Sequence, residues 1–216
     1  MAVVWYYSVP MSRAKEAGES AAVRERILAA AFEAFMERGY AATSTLEIAT
    51  RARVSKRELY VLVGNKQKML ITAIGERAKR LRAPADMPRL HDRAMLGQVL
   101  TAFGTQFVRE VSDPAVVAVF RLAIAEAVQA PEVARTLDSL GRETTRAALR
   151  HIMTEARAAG LIDGRPAELA EQFGGLLWRD LWTSLLLGVV ERPNPRAIDA
   201  RARDAAAAFL RLHPKP

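Results

Sequence analysis

Two serine and glutamate pairs, eleven residues apart, leave room for little except two short helices joined by a tight turn. Ser44 precedes Glu47 by three residues, and Ser55 precedes Glu58 by three. At that spacing a serine hydroxyl and a glutamate carboxylate can each satisfy a backbone N–H that a helix start would otherwise orphan. The interval between the pairs holds a helix of about two turns and a turn around Arg53, the spacing of a helix-turn-helix over residues 44–63. Leu46, Ile48 and Ala49 supply the apolar side of its first helix, and Val54 and Leu59 can pack the second against it. Lys56 and Arg57 then stand at the N-terminal end of the second helix, where such a motif directs side chains to base edges.

The flanking segments are patterned to match. Ile27, Ala31 and Phe35 recur every four residues with Leu28 and Phe32 beside them, which predicts a core-facing helix from about Ser20 to Arg38, capped by Gly39. Asn65 is positioned as the N-cap of a further helix reaching about Arg82. With ILAAAFEAFMERGY at 27–40 and LYVLVGNKQKML at 59–70, the chain resembles the DNA-binding domain of the tetracycline-repressor (TetR) family. The residues that carry the resemblance are Gly39 and Tyr40, then Val54, Ser55 and Lys56, then Leu59 and Tyr60, and Lys66. The resemblance implies an all-α protein of about nine helices, with an N-terminal three-helix helix-turn-helix domain and a C-terminal helical ligand-binding and dimerisation domain. It also implies DNA contacts from Thr45, Ser55, Lys56, Arg57, Tyr60 and Lys66, with Lys56 and Arg57 on bases and the other four on phosphate.

Three positions depart from the family pattern. Arg53 stands where a glycine is usual, so a positive φ would be uncomfortable and the turn is expected to be reshaped. Val63, with Gly64 next to it, replaces a common aromatic, which predicts lighter packing beneath the second helix. Glu58 stands where Thr is frequent, and its carboxylate either serves the cap or accepts from a cytosine amino group.

Charge is divided unevenly along the chain. Residues 1–82 hold 15 Lys and Arg against 8 Asp and Glu, or +7, whereas residues 83–216 hold 17 against 16, or +1. A basic head joined to a nearly neutral remainder favours a phosphate backbone as partner. With no cysteine there is neither a disulfide framework nor a thiolate metal site. His91, His151 and His213 do not cluster at a ligand spacing, so no metal and no cofactor is expected. Residues 2–9 are apolar but lack the basic start of a signal peptide, which predicts a cytoplasmic protein. Translation can begin at Met1 or at Met11, and residues 1–19 are expected to form a flexible arm. The prolines of APADMP at 83–88 mark a boundary between a DNA-binding domain at 20–82 and a helical domain at 83–216.

The second domain reads as helix throughout. Leu96, Val99, Leu100, Phe103 and Phe107 make one apolar stripe; Val116, Val117, Phe120, Ile124 and Val128 make the next, started by Asp113 and Pro114. Pro131 opens a helix to about Gly160 that is long enough to bend. Pro166 opens another to about Glu191, and Asn194 with Pro195 opens the last. Residues 173–190 are apolar enough to evoke a membrane span, but Arg179 and Asp180 interrupt them at the middle, so no membrane role is expected. The resemblance implies a homodimer through the last two helices. RLAIAEA at 121–127 and the GLL at 175–177 are similar to the C-terminal domains of an AefR-like branch of the family. Phe103, Phe107, Phe120, Arg121, Met153, Trp178 and Trp182 are candidates to line a pocket for a small-molecule effector of unknown identity, although core packing also explains the apolar ones.

The function these features imply is a ligand-responsive transcriptional regulator, a repressor bound to a palindromic double-stranded operator, with no catalytic residues. A helical carrier or enzyme would leave the basic head without a purpose, and no nucleophile or paired-carboxylate arrangement stands out.

Overall fold

The computed structural model describes residues 11–78 and 89–214, and the chain divides into two compact units, Met1–Ala73 and Ile74–Pro216. The expected boundary at 83–88 lies outside the described residues, as do residues 1–10. All the regular structure among the described residues is helical.

In the first unit α1 (Met11–Arg38) packs on α2 (Thr45–Ala52) and α3 (Lys56–Leu62), and α4 (Lys66–Ala78) begins, its residues 74–78 belonging to the second unit. Helix α1 starts nine residues before the expected Ser20, so residues 11–19 belong to a helix and not to an arm. Ala14, Lys15, Glu16 and Ala17 are strong helix formers and no proline interrupts them. Ile27, Ala31, Ala34 and Phe35 of α1 are fully buried against Ile48, Ala52 and Leu59. Leu46 is not part of this core; it is 62% exposed, because a helix that buries Ile48, Ala49 and Ala52 turns the position two residues earlier toward solvent. Val63 is buried, so a β-branched residue fills the place expected to pack lightly.

The second unit holds α5 (Arg93–Val111), α6 (Pro114–Ala125), α7 (Pro131–Leu137), α8 (Glu143–Ala158), α9 (Pro166–Trp178), α10 (Leu181–Leu187) and α11 (Pro195–Leu212). Asp92, Asp113 and Asn194 each cap a following helix by accepting a backbone N–H, at 2.7, 3.0 and 3.0 Å. Helix α5 lies along α11 and touches α9, which in turn packs on α8 and α11. A Cβ at Gly104 of α5 would sit 3.1 Å from Leu177 and 3.2 Å from Ala202. Glycine there is what allows α5 to approach its two neighbours so closely.

Three expected helices are altered. Helix α6 stops at Ala125, and Ile124 and Val128 are exposed; the chain turns at 126–129, and Ala130, immediately before Pro131, lies outside the helical region. The helix from Pro131 bends through a π-helical turn at Asp138–Arg142 before continuing as α8. The helix from Pro166 breaks in two at Arg179, which takes φ 48° and ψ −126°. Such a conformation costs on the order of 1–3 kcal/mol for a non-glycine residue. Packing offsets the cost: Arg201 donates to the terminal carbonyls of α9, at Leu177 O (3.2 Å) and Trp178 O (3.1 Å). Beyond the break, α10 turns onto α6, where Trp182 meets Phe120 edge to face with ring centroids 4.6 Å apart. Among the described residues no helix is long and apolar enough to cross a membrane.

Candidate nucleic-acid interface and effector cavity

Both serine caps form. Ser44 Oγ accepts from the Glu47 N–H at 3.1 Å and Ser55 Oγ accepts from the Glu58 N–H at 3.0 Å. The glutamates do not return the favour. Glu47 pairs with Arg38 at 3.1 Å and Arg51 at 3.7 Å, while the Glu58 carboxylate is exposed and has no partner among the described residues. The turn between α2 and α3 is not reshaped by its arginine. Arg53 adopts the left-handed conformation, φ 55° and ψ 48°, and the backbone closes as a Schellman motif: Arg53 N–H donates to Thr50 O at 3.1 Å and Val54 N–H to Ala49 O at 3.0 Å.

The six sequence-derived DNA candidates separate into two groups. Thr45, from the first turn of α2, shares a hydrogen bond with the Tyr60 hydroxyl of α3 at 3.3 Å. Ser55, Lys56, Arg57 and Tyr60 are all exposed on or beside α3, and Thr45 meets that helix through Tyr60. Val61, 77% exposed on the same short helix, is an addition. An exposed valine on a helix that must also pack was a readable signal. Lys66 is placed elsewhere. Its ammonium donates to Tyr40 O (2.8 Å), Thr43 O (3.1 Å) and Ala41 O (3.4 Å) and lies 4.4 Å from the Tyr40 ring centroid. Three donors meet three carbonyls, which leaves none for a phosphate.

The head's other cations divide in the same way. Arg26 donates to Ala52 O at 2.8 Å, Arg38 is held by Glu47, and Arg51 is held by Glu37 at 2.7 Å. The Arg51 hydrogen bond keeps the Glu37 carboxyl below its ordinary pKa. Arg24, Arg53, Lys56, Arg57 and Lys68 have no partner among the described residues, and three of these five fall within residues 53–57. Among the described side chains of the head, the unneutralised positive charge is therefore concentrated at the turn and the start of α3.

In the second unit a cavity of about 380 Å³ opens between α5, α6, α8, α9 and α10. One wall is a chain of rings: Phe107 to Trp178 at 5.2 Å, Trp178 to Trp182 at 5.2 Å, and Trp182 to Phe120. Of the seven sequence-derived candidates these four line it. Phe103 instead stacks on Phe107 at the edge of the core, and Met153 is fully buried within the core. Arg121 is committed to the end of α10, donating to Leu185 O (2.8 Å) and Leu186 O (2.9 Å). The opposite wall, missed in the sequence, carries Arg142, Arg146 and Arg150; their spacing of four marks one helical face. Asp138 and Glu143 restrain them, with Arg150 to Glu143 the shortest pair at 2.7 Å. That hydrogen bond is also the main cause that depresses the Glu143 pKa. Among the described residues no group of His, Asp or Glu converges as a metal site.

Residues 27–73 match the profile described as bacterial regulatory proteins, tetR family. Residues 98–213 match that of the AefR-like transcriptional repressor C-terminal domain. Among solved structures the chain is similar to the flavonoid-responsive regulator FrrA, at 28% identity over 89% of this chain and 97% of that one, with a TM-score of 0.74. It is similar also to a TetR transcriptional regulator from Agrobacterium tumefaciens, at 26% identity over 88% and 94% of the two chains and a TM-score of 0.71. A TetR-family regulator from Mesorhizobium loti shares the fold at 22% identity over 90% and 98%, with a TM-score of 0.70. No curated protein matches the chain significantly.

Proposed function

Because the chain belongs to the TetR family of bacterial transcriptional regulators, we propose that it is a dimeric repressor that leaves a near-palindromic operator when a small effector fills the cavity of its second unit. Regulators of this family bind DNA and small-molecule effectors and are typically dimers. The observation that carries the DNA assignment is the set of unneutralised cations at the turn and the start of α3; among the described residues Arg26, Arg38, Arg51 and Lys66 are by contrast paired. Lys56 and Arg57 reach base edges, Thr45, Ser55 and Tyr60 hold phosphate, and Val61 offers an apolar contact for a thymine methyl. The free carboxylate of Glu58 is suited to a cytosine amino group.

Salt titration of a mobility shift tests the assignment. If the dimer neutralises six to ten phosphates, affinity falls by roughly 10³ to 10⁵ between 50 and 200 mM salt. Arg57→Ala is expected to cost about 1–3 kcal/mol and to relax sequence preference at the base it reads. A salt-independent affinity would reject the reading.

The ring-lined wall of the cavity favours a planar, largely apolar effector, with its polar groups toward the arginine wall. The likeness to a flavonoid-responsive regulator supports that class. Release requires only that the effector bind more tightly to the arrangement that binds DNA poorly; the shift in DNA affinity equals that difference. For the dimer, the exposed apolar run of Leu187, at 71% exposure, Val189 and Val190 is suited to a second copy. Leu187→Glu is expected to shift sedimentation from dimer to monomer, and an unaltered dimer would exclude this surface.

A further inference from the structure

We propose that Arg53, in the turn between α2 and α3, is a DNA-phosphate contact, so that the side chain replacing the usual glycine adds an anchoring point to each head. The proposal rests on the DNA-binding reading above. Arg53 holds φ 55° and ψ 48°, a region where the Cβ of an L residue crowds the following carbonyl. Glycine would enter it without penalty. Nothing in the turn uses the side chain: the two hydrogen bonds that close it come from the Arg53 and Val54 backbone N–H groups. The guanidinium is exposed and has no partner among the described residues. Arg26 and Arg51, on neighbouring elements, are by contrast both engaged within the head.

An exposed residue that keeps a strained backbone for a side chain with no internal role has the character of a functional position. Its place decides which part of the duplex it meets. Arg53 lies two residues before the Ser55 cap, ahead of α3 and not on it. When a recognition helix enters the major groove, the segments that flank it run along the phosphate rims. A guanidinium, permanently charged and forked, suits a phosphate there.

The test compares wild type with Arg53→Gly, Arg53→Asn and Arg53→Lys on a mixed-sequence duplex, because a phosphate contact does not depend on sequence. Each protein is titrated across salt and its melting temperature recorded. Gly and Asn both accept the left-handed conformation, so these two variants are expected to melt at or above the wild-type temperature. They are expected to bind roughly tenfold more weakly at low salt. The slope of log affinity against log salt should become shallower by about one for each head engaged, while Arg53→Lys keeps most of the slope. If Arg53→Gly and Arg53→Asn match wild type in affinity and slope, the contact does not exist. Equal losses in all three variants with lowered melting temperatures would overturn it in favour of a structural role. A wild-type chain with no salt-dependent duplex binding would overturn the DNA reading and this contact with it; failure of Arg53 alone leaves wild-type binding intact.

Discussion

Lys66→Met is expected to destabilise the head by about 3 kcal/mol while leaving the salt dependence of DNA binding unchanged in the protein that remains folded. The first part follows from what the ammonium holds. Loop residues Tyr40, Ala41 and Thr43 turn their carbonyls onto one Nζ, fixing the path between α1 and α2. Hydrogen bonds to a charged donor are worth about 1.5–3 kcal/mol, and an ammonium over a tyrosine face adds about 0.5–1 kcal/mol. Methionine keeps the straight stem and the helix propensity, so the loss isolates the charge and its donors. The loop is also held by Gly39 at φ 86°, by the buried Thr43 hydroxyl donating to Gly39 O at 2.7 Å and Ala34 O at 3.1 Å, and by the buried Tyr40 ring against Phe35; none of these replaces the charged donors. Chemical denaturation gives the stability and mobility shifts across salt give the slope. An unchanged denaturation midpoint with a slope shallower by about one per head would instead make Lys66 a phosphate ligand, as the family motif alone implies.

Lys66 shows where sequence reading succeeds and where it stops. The elements read correctly are those whose signals are local: the two serine caps, Gly39, Asn65 and the proline starts each act within a few residues. The partners of Lys66 lie 23 to 26 residues away and are backbone carbonyls, which carry no side-chain signature. The break at Arg179 was hidden for a related reason. Residues 173–190 are apolar on both sides of Arg179 and Asp180, and what turns that interruption into a break is tertiary: Arg201 on the end of α9 and Phe120 against Trp182. Arg121, a candidate to line the effector pocket, instead donates to the end of α10, and those carbonyl partners 64 and 65 residues away leave no trace in the local pattern. The arginine wall of the cavity was different, since Arg142, Arg146 and Arg150 announce a shared face by spacing alone, but a charged stripe of that kind reads first as solvated surface.

Gly174→Leu is expected to raise the melting temperature and to reduce binding in the cavity at least tenfold. Gly174 lies within α9 and lines the cavity, and a Cβ built on it meets nothing within 4 Å. Glycine in a helix interior costs about 1 kcal/mol relative to a good helix former. Leucine removes that cost and adds no clash at its first carbon. Its remaining carbons project into a space of about 380 Å³, displacing the volume an effector needs beside Trp178. Anilinonaphthalene sulfonate, an apolar fluorescent dye, serves as the probe, and quenching of Trp178 and Trp182 reports occupancy independently. The tenfold loss corresponds to about 1.4 kcal/mol. DNA binding by the variant should persist at wild-type salt dependence, and the relevant effector should no longer release it. Dye affinity equal to wild type in a correctly folded variant would show that ligands enter elsewhere, and the ring wall would then be core packing alone.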